Sequence, residues 1–277
     1  MFPFKAALNA STLFPFRLTV PEFIRVAADA GYDGVELWVS DIERYLADGG
    51  TAEALRACLD EAGLTFANAI AFFRWADKDP AVREAAFLQA EQEMKLLQEL
   101  GCLAIAAPPY GDVAACSPEE FAASLDRLVQ LGRRIGIEPY LEFWGRAPKL
   151  STLSEAVEIS SLCGETGIKL LLDPFHMYTG GSAIPEIERL NGDRIGIFHV
   201  NDYPSEPDVT VIADNHRVFP GKGIAPSREI ASTLHRIGYE GYLSLELFLE
   251  HYEGLSALEV ARKGLAAMKE TYAIEEE

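Results

Sequence analysis

The sequence predicts an α/β protein that folds as a closed (β/α)8 TIM barrel. Eight short apolar runs recur along the 277 residues, and helical segments with clear capping signals lie between them. No GxGxxG fingerprint follows the first run, which disfavours the alternative of an open, doubly wound sheet. Because no Pro- or Ser-rich linker divides the chain, we expect residues 1–277 to form a single barrel domain.

The predicted strands are short, largely apolar and bounded by Gly or polar residues. This pattern is typical of parallel strands that are buried on both faces. In chain order the runs are 4–9 (FKAALN), 34–39 (GVELWV), 64–70 (LTFANAI), 102–107 (CLAIAA), 137–143 (IEPYLEF), 168–173 (IKLLLD), 195–200 (IGIFHV) and 242–247 (YLSLEL).

The helices between these strands are predicted from their ends. Asp79-Pro80 has the form of an N-cap followed by Pro at the first helical position, and Gly101 is expected to end that helix. Capping-box signatures begin further helices at Ser117 with Glu120, at Thr152 with Glu155, and at Ser256 with Glu259. The longest predicted loop, residues 203–224, follows the seventh strand, and we expect it to cover the active-site face.

Charge and composition narrow the function classes. The chain carries 43 acidic and 24 basic residues, and the net charge of −19 disfavours nucleic acids and anionic membranes as partners. No window of 18 uninterrupted apolar residues predicts a membrane span, and the N-terminus does not read as a signal peptide. The four cysteines have no zinc-finger spacing. We therefore expect a cytoplasmic protein that acts on a small molecule.

Four residues that could bind a metal lie near the carboxyl ends of the last four predicted strands. They are Glu142, Asp173, His199 and Glu246. Taken singly, each could be part of a salt bridge or a hydrogen-bonded core. Together at one end of a barrel, buried carboxylates would need a cation to compensate them. The donor set suits one divalent ion among Mn²⁺, Mg²⁺, Co²⁺ and Zn²⁺.

Further polar and aromatic residues surround this set. His176 lies just after Asp173, and Arg217 lies in the long loop, where it would face an acidic site. For the neighbouring Lys222, a solvated loop charge is the preferred interpretation. Aromatic residues that follow strand ends could pack in the core or form a wall for the apolar face of a sugar or cyclitol ring. These aromatic residues are Trp38, Phe72, Phe73, Trp75 and Trp144.

The chain resembles the sugar isomerase/epimerase branch of the xylose-isomerase-like barrels, and within it the inosose (2-keto-myo-inositol) isomerases. The motifs that carry the resemblance are ANAIAFF (67–73), LEFWG (141–145), LLLDPFHM (170–177), IFHVND (197–202), HRVFPGKG (216–223) and SLELF (244–248). The resemblance implies metal ligands at Glu142, Asp173, His199 and Glu246, and substrate contacts from His176 and Arg217. It also implies that Glu142 and Glu246 form the proton-transfer pair.

The expected activity is a metal-dependent isomerisation or epimerisation of a keto-sugar or keto-cyclitol through an enediolate. Trp75 and Phe72 are expected to contact the substrate ring. A dehydratase acting on an inosose or a related keto compound is the alternative, since it begins with the same proton abstraction. An apurinic endonuclease is disfavoured by the acidic charge, and a non-catalytic sugar-binding barrel by the pair of glutamates. The sequence leaves a homo-oligomer open.

Overall fold

Eight parallel strands close into a barrel in the computed structural model, which describes residues 1–274. Each strand pairs with the next along the chain, and β8 pairs with β1. This confirms the predicted fold class and all eight predicted strands. The strands are β1 Lys5–Asn9, β2 Gly34–Trp38, β3 Thr65–Ile70, β4 Ala104–Ala107, β5 Glu138–Glu142, β6 Lys169–Leu172, β7 Ile195–Val200 and β8 Tyr242–Leu245.

Nine α-helices of the described chain lie between and after the strands. They are α1 Val20–Ala30, α2 Val39–Ala47, α3 Ala52–Ala62, α4 Pro80–Glu99, α5 Pro118–Ile135, α6 Leu153–Leu162, α7 Pro174–Gly180, α8 Ser227–Arg236 and α9 Ala257–Thr271. Short 3-10 turns complete the connections. Among residues 1–274, no helix combines the length and the apolarity that a bilayer crossing requires.

The predicted helix starts are confirmed at atomic detail. The Asp79 side chain accepts from the amide of Ala81, and complete capping boxes begin α5 at Ser117 and α9 at Ser256. At α6 only half of the box forms: the Thr152 hydroxyl accepts from the amide of Glu155, while the Glu155 carboxylate accepts from the amide of Ser151. These caps satisfy amides that have no partner inside the helix.

Two connections differ from the simple strand-then-helix alternation. Two short helices, α2 and α3, follow β2, whereas β6 is followed by α7, which has only seven residues. Gly181 ends α7 with a φ of +81°, a conformation that glycine adopts without strain. The chain after β6 therefore stays close to the rim of the barrel, where it carries His176.

The lower half of the barrel interior is apolar. Ala67, Ala104 and Ala106 leave space for larger side chains such as Leu171 and Tyr140. Gly196 of β7 is required here, because a Cβ at this position would lie 2.4 Å from the ring of Tyr140. With this half filled, the polar side chains of the strands gather toward the carboxyl ends, where the loops also meet.

Candidate active site

A cavity of about 720 Å³ opens at the carboxyl ends of the strands. Five of the residues predicted for the site line it: Phe72, Glu142, His176, Arg217 and Glu246. Asp173 and His199 lie directly beneath and are 1% exposed. Its lining also includes Asp214 of the 203–224 loop, so this loop contributes two charged groups to the cavity wall.

Three of the four predicted metal ligands come together at the floor of the cavity. One donor atom from each of Asp173, His199 and Glu246 lies within 4.8 Å of the others. Nδ1 of His199 is 3.1 Å from Oε2 of Glu246 and 3.5 Å from Oδ2 of Asp173. The strand ends produce this arrangement, because β6, β7 and β8 are neighbours in the barrel.

Hydrogen bonds from one backbone amide and two asparagine side chains fix which carboxylate oxygens face the cluster. Oδ1 of Asp173 accepts from the amide of Phe175 at 2.7 Å and from the side chain of Asn201 at 3.1 Å. Oε1 of Glu246 accepts from the side chain of Asn9 at 3.1 Å. Each carboxylate therefore keeps its second oxygen, Oδ2 or Oε2, directed toward His199.

This donor set fits a divalent cation. Nδ1 of His199 is buried and has no hydrogen-bond partner among the described residues, although two carboxylate oxygens lie within 3.5 Å of it. A cation bound to these three atoms would satisfy the imidazole nitrogen and offset the negative charge of the carboxylates. Two oxygens and one imidazole nitrogen suit Zn²⁺, Mn²⁺ or Co²⁺ in particular.

Glu142 stands apart from this three-residue cluster. It is the last residue of β5, is 6% exposed and lines the cavity. Burial, reinforced by the negative charge of Glu246, raises the pKa of Glu142 to about 8. The fourth predicted metal ligand is thus a cavity carboxyl that favours its protonated form at neutral pH.

The buried charges of the site shift the pKa values of Asp173 and His199 strongly. Burial alone would raise the pKa of Asp173, but the Arg217 guanidinium holds it well below its usual range. Burial alone would lower the pKa of His199, but the carboxylates of Glu246 and Glu36 hold it well above its usual range. Perturbed groups of this kind concentrate at functional sites.

Arg217 and His176 form the polar side of the cavity. Arg217 is 1% exposed, and its Nη1 donates to Oδ2 of Asp173 at 2.7 Å and to Oε2 of Glu246 at 2.6 Å. Nη2 donates to Asp214 at 2.6 Å and lies 3.5 Å from Nε2 of His176. Burial lowers the pKa of His176 to about 4, with a further contribution from Arg217, so this imidazole is neutral.

An aromatic wall forms another part of the cavity lining. The ring of Phe72 lies 5.2 Å from Trp38, 5.5 Å from Tyr110 and 6.1 Å from Trp144, and Phe248 lies 6.2 Å from Trp38. These five residues, which we call the aromatic wall, all line the cavity. They form an apolar surface that adjoins the charged one, because the Phe248 ring lies 5.1 Å from the guanidinium of Arg217.

The structure corrects the prediction for Trp75. This side chain is fully buried, its Nε1 donates to the carbonyl of Pro108 at 2.7 Å, and its ring packs against Phe121 of α5. It lies outside the cavity lining. Trp75 therefore belongs to the core behind the cavity, where it anchors the loop after β4.

Four polar residues of the site were not predicted. They are Asn9, Glu36, Asn68 and Asn201, and all four are fully buried. Three of them lie within predicted strands, each as a polar residue in an otherwise apolar run. The same signal identified Glu142 and Glu246, and it could have identified Glu36 as well.

Comparisons with known proteins agree with this architecture. Residues 24–271 match the family model described as a xylose isomerase-like TIM barrel. The chain is 29% identical over 240 residues to the inosose isomerase of Halalkalibacterium halodurans, covering 84% of each protein. It is also 29% identical over 260 residues to the 3-dehydroshikimate dehydratase of Pseudomonas aeruginosa, covering 90% of this chain but only 39% of that enzyme.

A solved structure has the same fold. The crystal structure of the IolI protein with a bound zinc atom superposes with a TM-score of 0.87 and 22% identity, covering 98% of this chain and 100% of that one. The two barrels therefore correspond over essentially their whole length.

Proposed function

The chain belongs to the xylose isomerase-like TIM barrel family, and from this premise we propose that it is a divalent-metal-dependent isomerase or epimerase of a keto-sugar or keto-cyclitol. One observation carries the proposal. Two glutamates, Glu142 and Glu246, line the same cavity. Glu246 also belongs to the cluster that could hold a cation, together with Asp173 and His199. A site that only bound sugar would need no such pair of proton-transfer groups.

The reaction requires a proton to leave the carbon beside a carbonyl and to return at the same or the neighbouring carbon. A bound divalent cation would polarise the carbonyl oxygen as a Lewis acid. Asp173, His199 and Glu246 would hold this cation, and Glu142 could become a fourth donor only after it has given up its proton. General acid–base catalysis by a glutamate contributes about 10²–10⁴-fold to such a step.

Glu142 and Glu246 differ in their surroundings in a way that suits this task. The raised pKa of Glu142 favours a carboxylic acid. The two oxygens of Glu246 instead accept hydrogen bonds from Arg217 and Asn9. One glutamate can donate a proton while the other accepts one. Arg217 and neutral His176 would contact the substrate hydroxyls, and the aromatic wall would contact the apolar face of the ring.

The relatives support a cyclic substrate. The inosose isomerases match this chain along most of their length, and their name specifies a keto-cyclitol. We therefore propose 2-keto-myo-inositol or a compound of similar size as the first substrate to test.

A dehydratase is the second candidate, favoured by the match to 3-dehydroshikimate dehydratase over 90% of the chain. Both reactions begin with removal of a proton beside a carbonyl, but a dehydratase then expels a neighbouring hydroxyl. The two are distinguished by product mass, because only the dehydratase product has lost one water.

The glutamate assignment is tested by Glu246→Gln. This change keeps the size of the side chain but removes the charge that would bind the cation and the proton. We expect turnover of 2-keto-myo-inositol to fall by at least about 10²-fold, and Mn²⁺ affinity to fall with it. Glu250→Gln, at an exposed position four residues away, is the matched control and should leave both unchanged. A folded Glu246→Gln protein with normal turnover would remove Glu246 from the mechanism.

A further inference from the structure

A second layer of buried polar side chains lies inside the barrel beneath the cluster. Its centre is Glu36 of β2, which is fully buried. Oε1 of Glu36 accepts from Nδ2 of Asn68 at 2.8 Å, and Oε2 accepts from Nδ2 of Asn9 at 3.1 Å. A buried carboxylate in a barrel interior is costly, so a fully hydrogen-bonded one indicates a specific role.

Strand register brings these three residues side by side. Asn9 of β1 is paired with Glu36, and Glu36 is paired with Asn68 of β3. The second pairing depends on an irregularity in β3: Val35 pairs with Phe66, but Glu36 pairs with Asn68, so Ala67 is skipped. Irregularities of this kind re-aim side chains, and here one places an amide against the Glu36 carboxylate.

Glu36 contacts Nε2, the ring nitrogen of His199 that is turned away from the cluster. Nε2 of His199 lies 3.1 Å from Oε2 and 3.2 Å from Oε1 of Glu36. The other ring nitrogen, Nδ1, faces Glu246 and Asp173. Both oxygens of Glu36 already accept from asparagine amides, so Glu36 accepts from Nε2 as well. In the neutral imidazole that a cation would bind, Nε2 then carries the hydrogen and Nδ1 has the lone pair.

We propose that Glu36 is a positioning residue that fixes the orientation and the tautomer of His199 for binding a divalent cation. The proposal rests on the metal site of the proposed function. A carboxylate that accepts from the distal nitrogen of a metal-binding histidine also increases the basicity of the nitrogen that binds the metal. Glu36 thus acts on the cation through His199, without touching the substrate.

Asn9 extends this control to a second ligand. Its Nδ2 donates to Glu36 and also to Oε1 of Glu246, while its Oδ1 accepts from Nε1 of Trp38 at 3.1 Å. One amide therefore connects the carboxylate beneath His199, the second oxygen of Glu246 and one residue of the aromatic wall. This connection keeps Oε2 of Glu246 turned toward Nδ1 of His199.

The test compares Co²⁺ binding by the full-length protein and by Glu36→Gln, using isothermal titration calorimetry and proton NMR. Glu36→Gln keeps the volume of the side chain but removes the anionic acceptor. We expect Co²⁺ affinity to fall by about 10–100-fold, as for other residues that orient metal ligands. In the Co²⁺-loaded wild-type protein, the Nε2 proton of His199 should give one slowly exchanging, paramagnetically shifted signal. In the variant, this signal should shift and exchange faster.

Glu93→Gln is the matched control. Glu93 is another buried glutamate, but it lies on α4 outside the barrel and is hydrogen-bonded to Gln89. This variant should keep wild-type Co²⁺ affinity and the same NMR signal. If Glu36→Gln does not fold, Asn68→Ala removes one hydrogen bond that orients Glu36 and should give a smaller loss of affinity.

Two results would overturn the proposal. One is unchanged Co²⁺ affinity with an unchanged Nε2 proton signal in folded Glu36→Gln or Asn68→Ala protein. The other is a wild-type protein that binds no divalent cation, which would remove the metal site as well. A protein that binds Co²⁺ through this network but isomerises no substrate would contradict the proposed function and leave the role of Glu36 intact.

Discussion

The guanidinium of Arg217 contacts the same two carboxylate oxygens that face Nδ1 of His199. Nη1 donates to Oδ2 of Asp173 and to Oε2 of Glu246, and the group also lies over the rings of Phe175 and Phe248 at 4.7 and 5.1 Å. Arg217 therefore compensates the negative charge that a divalent cation would also compensate. The sequence predicted this residue as a substrate contact, and its role in balancing the charge of the cluster became visible only in the structure.

This double role leads to a prediction for Arg217→Ala. Without a cation, the variant lacks the guanidinium that compensates two buried carboxylates, and we expect it to be less stable than wild type by about 3–5 kcal/mol. Added Mn²⁺ should restore most of this loss, because it neutralises the same oxygens. Thermal unfolding with Mn²⁺ and with a chelator measures the difference. Arg236→Ala, which breaks an exposed ion pair with Glu188, should change little in either condition. If Arg217→Ala lost the same amount of stability with Mn²⁺ as with a chelator, this role of Arg217 would be contradicted.

At single positions, the sequence predicted which residue types belong to the site better than it predicted the direction in which each side chain points. The carboxylates and the imidazole were recognised because charged groups in buried apolar runs need compensation, and the structure brings three of them into one cluster. Phe72 and Trp75 follow the same strand three residues apart, yet Phe72 faces the cavity and Trp75 bonds to Pro108. The turn of the backbone between them decides this, and no spacing rule encodes it.

Among the connecting elements, the 203–224 loop brings both a positive and a negative charge to the cavity, with Arg217 and Asp214. Asp202 holds both of its ends: its carboxylate accepts from the amides of Tyr203, Gly223 and Ala225, and its backbone pairs with Val218. The sequence predicted the position and the length of this loop. Its path was not predictable, because it depends on buried hydrogen bonds to residues that lie far away in the chain.

Arg146 attaches this loop to the segment after β5. Its guanidinium donates to the carbonyls of Val209 at 2.8 Å and Thr210 at 3.0 Å, and also to that of Ile212. We expect Arg146→Ala to increase hydrogen exchange over residues 208–217 by at least about tenfold, since a charged hydrogen bond is worth about 1.5 kcal/mol. KM should rise while Mn²⁺ affinity stays the same. Hydrogen-exchange mass spectrometry and steady-state kinetics measure both effects.

The control for Arg146→Ala is Lys149→Ala in the same segment. Among the described residues, the hydrogen bonds to the carbonyls of residues 209–212 come from Arg146 and none comes from Lys149. Equal exchange rates in wild type and Arg146→Ala would show that other contacts hold the loop.

For the whole molecule, barrel closure is what assembles the site. Asn9 and Glu246 are 237 residues apart in sequence, yet they form a hydrogen bond because β8 pairs with β1. The alternation of strands and capped helices was sufficient to predict this closure. The network of Asn9, Glu36 and Asn68 was not predicted, because it depends on register and on the irregularity in β3.

Proton transfer at this site is tested most directly by deuterium exchange from D₂O, catalysed by the Mn²⁺-loaded protein. The substrates would be 2-keto-myo-inositol, a set of ketohexoses and ketopentoses, and hydroxypyruvate, followed by proton NMR and mass spectrometry. We expect deuterium at the carbon beside the carbonyl of at least one compound, with an isomeric product that has not lost water. The exchange should stop when a chelator removes the metal. Exchange with loss of water would establish the dehydratase instead, and the absence of exchange from every compound despite bound Mn²⁺ would contradict proton transfer as the function of this site.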